Sequence, residues 1–240
     1  MNDNLVLIVG ESSSGKSASL LNLENPSGVV YANCEAGKKL PFKSDFKQVI
    51  VTDPITHMHG IFDQAEQMPN VHTIVVDTLT YLMDMYESIY VLNASNGMKA
   101  WGDYAQFFKT LMQDLVAKST KNVIFLAHTK AEFNDALGIF ERSVPIKGSL
   151  KNNGIESYFS SVVSTKKMTI ADLDKYSSPL LTFTDDDLSV GYKHVFQTRV
   201  TKQTVGERIR SPLGMWSVAE TYINNDTQLI LNRLGEYYSD

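Results

Sequence analysis

The stretch "GESSSGKS", residues 10–17, follows directly on the apolar run "LVLIV", residues 5–9. It fits the pattern G-x-x-x-x-G-K-[ST] at Gly10, Gly15, Lys16 and Ser17. Glycines at those two places let a backbone wrap closely around phosphate groups, with successive N–H groups pointing inward. Lys16 is then placed to reach the outer phosphates, and the Ser17 hydroxyl to ligate Mg²⁺. Glu11, Ser12, Ser13, Ser14 and, just beyond the loop, Ala18 complete the candidate nucleotide-binding set. The competing reading is a Ser-rich turn. A random chain of this length matches the pattern roughly once in a hundred, from average residue frequencies. The context also favours a phosphate cradle. A strand precedes the loop, and "KSASLLNLE" reads as a helix that "NPSG" stops, which would aim the positive end of a helix dipole at the anion.

Beyond the loop, apolar runs alternate with helical stretches. "VVYANC" (residues 29–34), "QVIVT" (48–52), "TIVVD" (73–77) and "NVIFLAH" (122–128) read as buried strands. Residues 53–68 read as a helix with Asp53 as N-cap and Pro54 at its first position. Helical patterns also cover residues 79–92 and 101–119, with "NASNG" between them. Strands alternating with helices predict a parallel sheet covered on both faces, with ligands at the carboxyl ends of its strands. From residue 129 to Asn153 the pattern is loop-like. "SSVVSTKKM", "PLLTFT" and "YKHVFQTRV" then read as antiparallel strands, with "DDD" at 185–187 as a turn. "TQLILNRLGEYY" reads as a closing helix. One domain is expected over residues 1–240, with a core at 1–150 and a β-rich extension at 151–240.

A phosphate cradle needs a metal partner and a group that activates water. Asp77 ends a hydrophobic strand and suits the second magnesium ligand, although it also fits a cap for the helix after it. Thr78, not an acid, follows Asp77, so the base must come from another strand end. Asp53 is explained by capping. Glu35 is followed by "AGKK", which opens no helix, and is the better candidate. His128 ends its own strand, where it would either sense the γ-phosphate or simply bond to backbone.

The 240 residues are 43% hydrophobic and 20% charged, enough for a packed core and against disorder. The net charge of −5 argues against a generally basic nucleic-acid coat, though not against a local basic groove. The one cysteine, Cys34, excludes an intrachain disulfide framework, and no Cys/His spacing reads as a zinc site. The apolar run near the N-terminus is too short for a signal peptide or membrane span. A soluble, cytoplasmic protein is expected.

The order of cradle, Glu35, Asp77 and His128 resembles the RecA/Rad51-like ATPase core. With "VVYANCEAG", "TIVVDTLTYL", "WGDYAQ" and "NVIFLAHTK", it is similar to small phage-encoded P-loop ATPases of AAA type, some linked to single-strand annealing and recombination. The resemblance is good over residues 5–150 and loose beyond them. It implies ATP and Mg²⁺ as cofactors, Glu35 as the catalytic glutamate, and a homo-oligomer with ATP between subunits. It also implies two loops that bind single-stranded DNA, matching residues 92–102 and 129–151 here. Candidate DNA contacts are Lys99, Lys130, Arg142, Lys147 and Lys151, with Phe133 and Phe140 able to stack on bases. Arg199 and Lys202 are the best candidates for basic residues that reach a neighbour's ATP site; Arg208 and Arg210 lie close by in sequence. An N-terminal polymerisation segment is not expected, because the cradle begins at residue 10.

Two rivals share the cradle. A nucleotide or small-molecule kinase usually needs an Arg-rich lid, and Arg142 is the only arginine in the first 198 residues. A nucleotide-dependent replication partner without turnover is the other.

Overall fold

The computed structural model describes residues 2–152 and 154–239; Asn153, the end of the segment read as a loop, lies outside them. The strands and helices run in the order β1 (Leu5–Gly10), β2 (Val29–Asn33), β3 (Lys47–Ile50), α1 (Pro54–Gln67), β4 (Thr73–Asp77), α2 (Leu79–Tyr86) and α3 (Gly97–Thr110). They continue with β5 (Asn122–His128), β6 (Lys130–Asn134), β7 (Ile139–Ser143), β8 (Ser161–Thr169), α4 (Ile170–Leu173), α5 (Asp185–Val190), β9 (Tyr192–Gln197), β10 (Tyr222–Asn224) and α6 (Thr227–Tyr238). Among the described residues eight strands form one sheet, in the order β10-β9-β8-β1-β5-β4-β2-β3. From β8 to β3 all neighbours are parallel; β9 and β10 add antiparallel pairings at one end. The result is an α/β fold, a mostly parallel sheet with helices on both faces, extended by antiparallel strands and a final helix.

Alternation along each strand divides the core in two. Leu5, Leu7 and Val9 of β1 pack with Ile74 and Val76 of β4 against α1, α2 and α3. Val6, Ile8, Val75 and Ile124 face the other way and meet α6 through Ile230, Leu231 and Leu234. Because both faces of β1, β4 and β5 are covered, these strands read as unbroken apolar runs.

The capping signals decide several boundaries. The Asp53 side chain accepts from Thr56 N at 2.7 Å, and Pro54 opens α1 as expected. Asn96 caps α3 through Lys99 N, so this helix begins at Gly97, four residues before Trp101. The first expected DNA loop therefore shrinks to residues 92–96, and Lys99 is helical. The first part of the segment after β5 is not a loop but the hairpin β6–β7, while residues 144–147 are irregular and a 3-10 turn follows.

The extension differs from its sequence reading in three places. β8 pairs antiparallel with β9 but parallel with β1, so it closes the parallel sheet. "PLLTFT" forms no strand. Leu181 instead sinks into a small cluster with Leu173, Val195 and Tyr222, and isolated bonds tie the segment to Asn224. "DDD" is the first turn of α5. Thr184 and Asp187 exchange bonds in a capping box, and acids suit the positive end of a helix.

The helix expected over residues 16–24 is only one 3-10 turn, Ser17–Leu20. Ser19 Oγ donates to Lys16 O at 2.6 Å and meets Thr227 Oγ1 at 2.9 Å. Asn22 donates to Asp226, and Glu24 N to Gln228. Side chains at the start of α6 thus anchor this segment, and Gln228 takes the backbone N–H of Glu24 that a continuing helix would have used. Among the described residues, no helix is long and apolar enough to cross a membrane.

Candidate active site

Four parallel strands deliver the polar residues to one edge of the sheet. Gly10 ends β1, Asp77 ends β4 and His128 ends β5, while Glu35 follows β2 by two residues. Because β5 lies between β1 and β4, His128 stands between the cradle and Asp77. Glu35, Asp77 and His128 line one cleft of about 410 Å³ together with Ser12, Ser13, Gly15, Lys16, Ser17 and Ala18.

Two glycines of the cradle are required by its surroundings. A Cβ on Gly10 would collide with Thr165 Oγ1 and Ser14 Oγ. Gly15 has φ +104°, and a Cβ there would lie 2.8 Å from Asn225 Nδ2. Of these neighbours, Thr165 and Asn225 come from the C-terminal extension. His194 Nδ1 lies 2.8 Å from Ser14 O, and Asn225 Nδ2 donates to Gly15 O at 2.9 Å. The extension therefore holds the cradle in shape. Sequence reading missed His194 and Asn225, since neither sits in a recognisable pattern.

Lys16 is only 6% exposed. Its Nζ donates to Gly10 O (3.0 Å) and Glu11 O (2.8 Å), and lies 3.4 Å from His128 Nδ1. Burial lowers its pKa to about 8, with Asp77 and Glu35 opposing that shift. On the far side of the ring, His128 Nε2 is 3.5 Å from Glu35 Oε1. Burial first, and Lys16 next, lower the His128 pKa. His128 thus stands between Lys16 and Glu35, and Tyr81 packs edge-on against its ring at 5.6 Å.

Glu35 is oriented by Lys38, which donates to its Oε2 at 2.7 Å. Ala36 (φ +52°) and Gly37 (φ +79°) both adopt left-handed backbone, which doubles the chain back so that Lys38 meets Glu35. Lys38 was not singled out in the sequence; the "AGKK" that argued against a helix was the available signal.

Asp77 is 2% exposed, and burial raises its pKa while Tyr31 and Ser17 oppose the shift. Its Oδ2 accepts from Ser17 Oγ at 2.8 Å and from Tyr31 Oη at 2.6 Å. Its Oδ1 is buried with no partner among the described residues. The helix cap that competed for Asp77 is supplied by Thr78, whose side chain accepts from Tyr81 N. An orphaned carboxylate oxygen beside a hydroxyl and a phosphate cradle fits Mg²⁺, a cation that takes few protein oxygens and fills its shell with waters and phosphates. Among the described residues no group of three or more His, Cys, Asp and Glu forms a metal cage.

The remaining candidates do not join this cleft. Lys99 pairs with Asp103 at 2.6 Å on α3. Arg142 reaches Glu11 (3.4 Å) and Glu207 (3.2 Å), so it braces the cradle from the hairpin. Lys147 pairs with Glu87 at 2.5 Å and Lys130 with Glu132 at 3.1 Å. Lys130, Lys147 and Lys151 do line a second cleft of about 310 Å³, together with Arg208. Phe133 and Phe140 form an exposed cross-strand pair, 5.1 Å between ring centroids. Strand alternation puts them on the hairpin face opposite Lys130. Arg199 donates to Trp216 O at 2.6 Å, and Lys202 is exposed at the start of a 3-10 turn. Arg208 is held by Glu156 at 3.0 Å, and Arg210 bridges to Val162.

The sequence model of the AAA domain family matches residues 2–206. Among curated proteins, none matches the sequence. A KaiC-like protein from the hyperthermophilic archaeon Pyrococcus horikoshii OT3 is similar in structure, with 14% sequence identity and a TM-score of 0.45. That similarity covers 85% of this chain and 82% of the archaeal one.

Proposed function

The chain belongs to the AAA domain family of P-loop ATPases, and from that premise we propose that it is a Mg²⁺-dependent ATPase of RecA-like type. In this reading it acts on single-stranded DNA in recombination, annealing or repair, in the cytoplasm, as a homo-oligomer. The observation that carries the hydrolytic part is the gathering of Lys16, Ser17, Glu35, Asp77 and His128 around one cleft.

Each residue has a task that its surroundings support. The cradle N–H groups and Lys16 bind the phosphates; Lys16 exchanges its contacts with Gly10 O and Glu11 O for phosphate oxygens. Ser17 and Asp77 hold Mg²⁺, which when bound neutralises charge on the phosphates. Glu35, oriented by Lys38, accepts a proton from the attacking water. His128 touches both Lys16 and Glu35, so a change at either is felt at the root of the β6–β7 hairpin two residues on. The hairpin and the basic cleft beside it are the surface offered to DNA, and Arg199 or Lys202 serves a neighbouring subunit's site.

Phosphate release, measured with and without single-stranded DNA, tests this reading. Stimulation by DNA that disappears in Glu35→Gln is expected. Transfer of phosphate to a nucleoside in place of water would replace it with a kinase. Absence of turnover under every condition would leave a nucleotide-dependent binding protein.

A further inference from the structure

Tyr31 lies on β2, on the sheet face that looks towards α6, and is 3% exposed. Its neighbours on that face, Val29, Val75, Ile124 and Leu126, are aliphatic. A phenol hydroxyl in such surroundings needs a partner. Its partner is Asp77 Oδ2, at 2.6 Å. β2 and β4 pair with Tyr31 opposite Val75 and Asn33 opposite Asp77, so the tyrosine reaches diagonally along the sheet to the strand end.

The two oxygens of Asp77 are therefore unequal. Oδ2 accepts from Tyr31 and from Ser17; Oδ1 accepts from nothing among the described residues. A serine hydroxyl has one proton and two lone pairs. Ser17 can give a lone pair to a metal while its O–H still donates to Oδ2. With Tyr31 as the second donor, Oδ2 is saturated and the carboxylate cannot rotate freely. Oδ1 is then the oxygen left to face a cation or its bound water.

We propose that Tyr31 is a positioning residue for the metal site, fixing Asp77 so that Oδ1 is presented to Mg²⁺ or its hydration shell. The proposal rests on the Mg²⁺–nucleotide reading of the cleft and adds a residue that the phosphate-loop pattern does not include. It is the kind of outer partner that sets the orientation of a metal ligand.

The test is Tyr31→Phe, which removes one oxygen and keeps the ring that packs 6.3 Å from Phe46. Binding of a fluorescent, non-hydrolysable ATP analogue is followed as Mg²⁺ is titrated, and thermal melting without Mg²⁺ checks the fold. The expected result is a Mg²⁺ midpoint raised about tenfold or more, with affinity for the metal-free analogue unchanged. Tyr31→Met, which removes the hydroxyl with different packing, should give the same shift. In an Asp77→Asn background, Tyr31→Phe should add nothing, because the group it positions is gone. An unchanged midpoint in either folded variant would overturn the role of Tyr31 while leaving the site intact. Analogue binding that ignores Mg²⁺ in the unaltered protein would instead overturn the parent reading, and this proposal with it.

Discussion

Lys16 is the residue where burial and function pull hardest against each other. Its amine sits under its own loop with a pKa lowered to about 8, chiefly by burial. Bound phosphates favour the charged form, so nucleotide binding must raise that pKa. The sign follows. Below pH 8 the amine is already protonated and affinity is at its full value. As pH rises through 8 the empty site loses its proton, and affinity falls by up to about tenfold per pH unit until the bound-state pKa is reached. Calorimetry in buffers of different ionisation enthalpy checks this: proton uptake on binding at pH 8.5 and none at pH 6.5. Affinity that stays flat to pH 9 would contradict it. Among the acids, Glu35 and Asp53 were separable in sequence because Pro54 after Asp53 announces a cap, and the Asp53–Thr56 bond is that cap. Tyr31, Lys38, His194 and Asn225 were not legible. Each matters through a contact made across the fold or through a left-handed turn, and neither leaves a pattern in the chain.

At the scale of elements, α1 gives a clean control on that choice. Asp53→Ala removes the bond to Thr56 N and a second one to Tyr90. It should cost about 1 kcal/mol and lower Tm by about 2–4 °C. Nucleotide turnover measured well below that transition should be unaffected; a large loss of turnover would return Asp53 to the site. The hairpin β6–β7 was invisible as strands because its residues are mostly polar and exposed on both faces, so they carry no burial alternation. What it shows instead is Phe133 and Phe140 at 53% and 60% exposure. If bases stack there, Phe133→Ala with Phe140→Ala should weaken single-stranded DNA binding by about tenfold or more, read by fluorescence anisotropy. Equal affinity would remove the aromatic pair from the DNA surface. Binding carried by the basic cleft should also fall steeply as salt is raised.

Across the whole molecule, the parallel strands were legible because burial on both faces makes them continuous apolar runs. The order of the sheet was not, since nothing local states that β5 inserts between β1 and β4. That insertion is what sets His128 beside Lys16. The extension was misjudged where capping chemistry mimicked a turn, at residues 184–187, and where an apolar run packed without pairing, at 179–184. Its larger role, through His194 and Asn225, is to support the cradle, so the two halves of the chain share one site. Arg199 and Lys202 lie away from the cleft of their own chain, which is where residues serving a neighbour would be found. Mixing Lys16→Ala protein with Lys202→Ala protein should restore part of the turnover that each lacks alone, because a mixed interface can contain both lysines. No recovery, with sedimentation showing mixed oligomers, would place Lys202 outside the chemistry.

In the proposed mechanism this cleft hydrolyses ATP, with Glu35 activating the water. Glu35→Gln keeps the shape of the side chain and removes its capacity to take a proton. The direct measurement is ATP binding and phosphate release on the same Glu35→Gln sample, with Mg²⁺ present. Binding should stay close to that of the unaltered protein, and release should slow by about 10²–10⁴-fold. Release at an undiminished rate would contradict that mechanism.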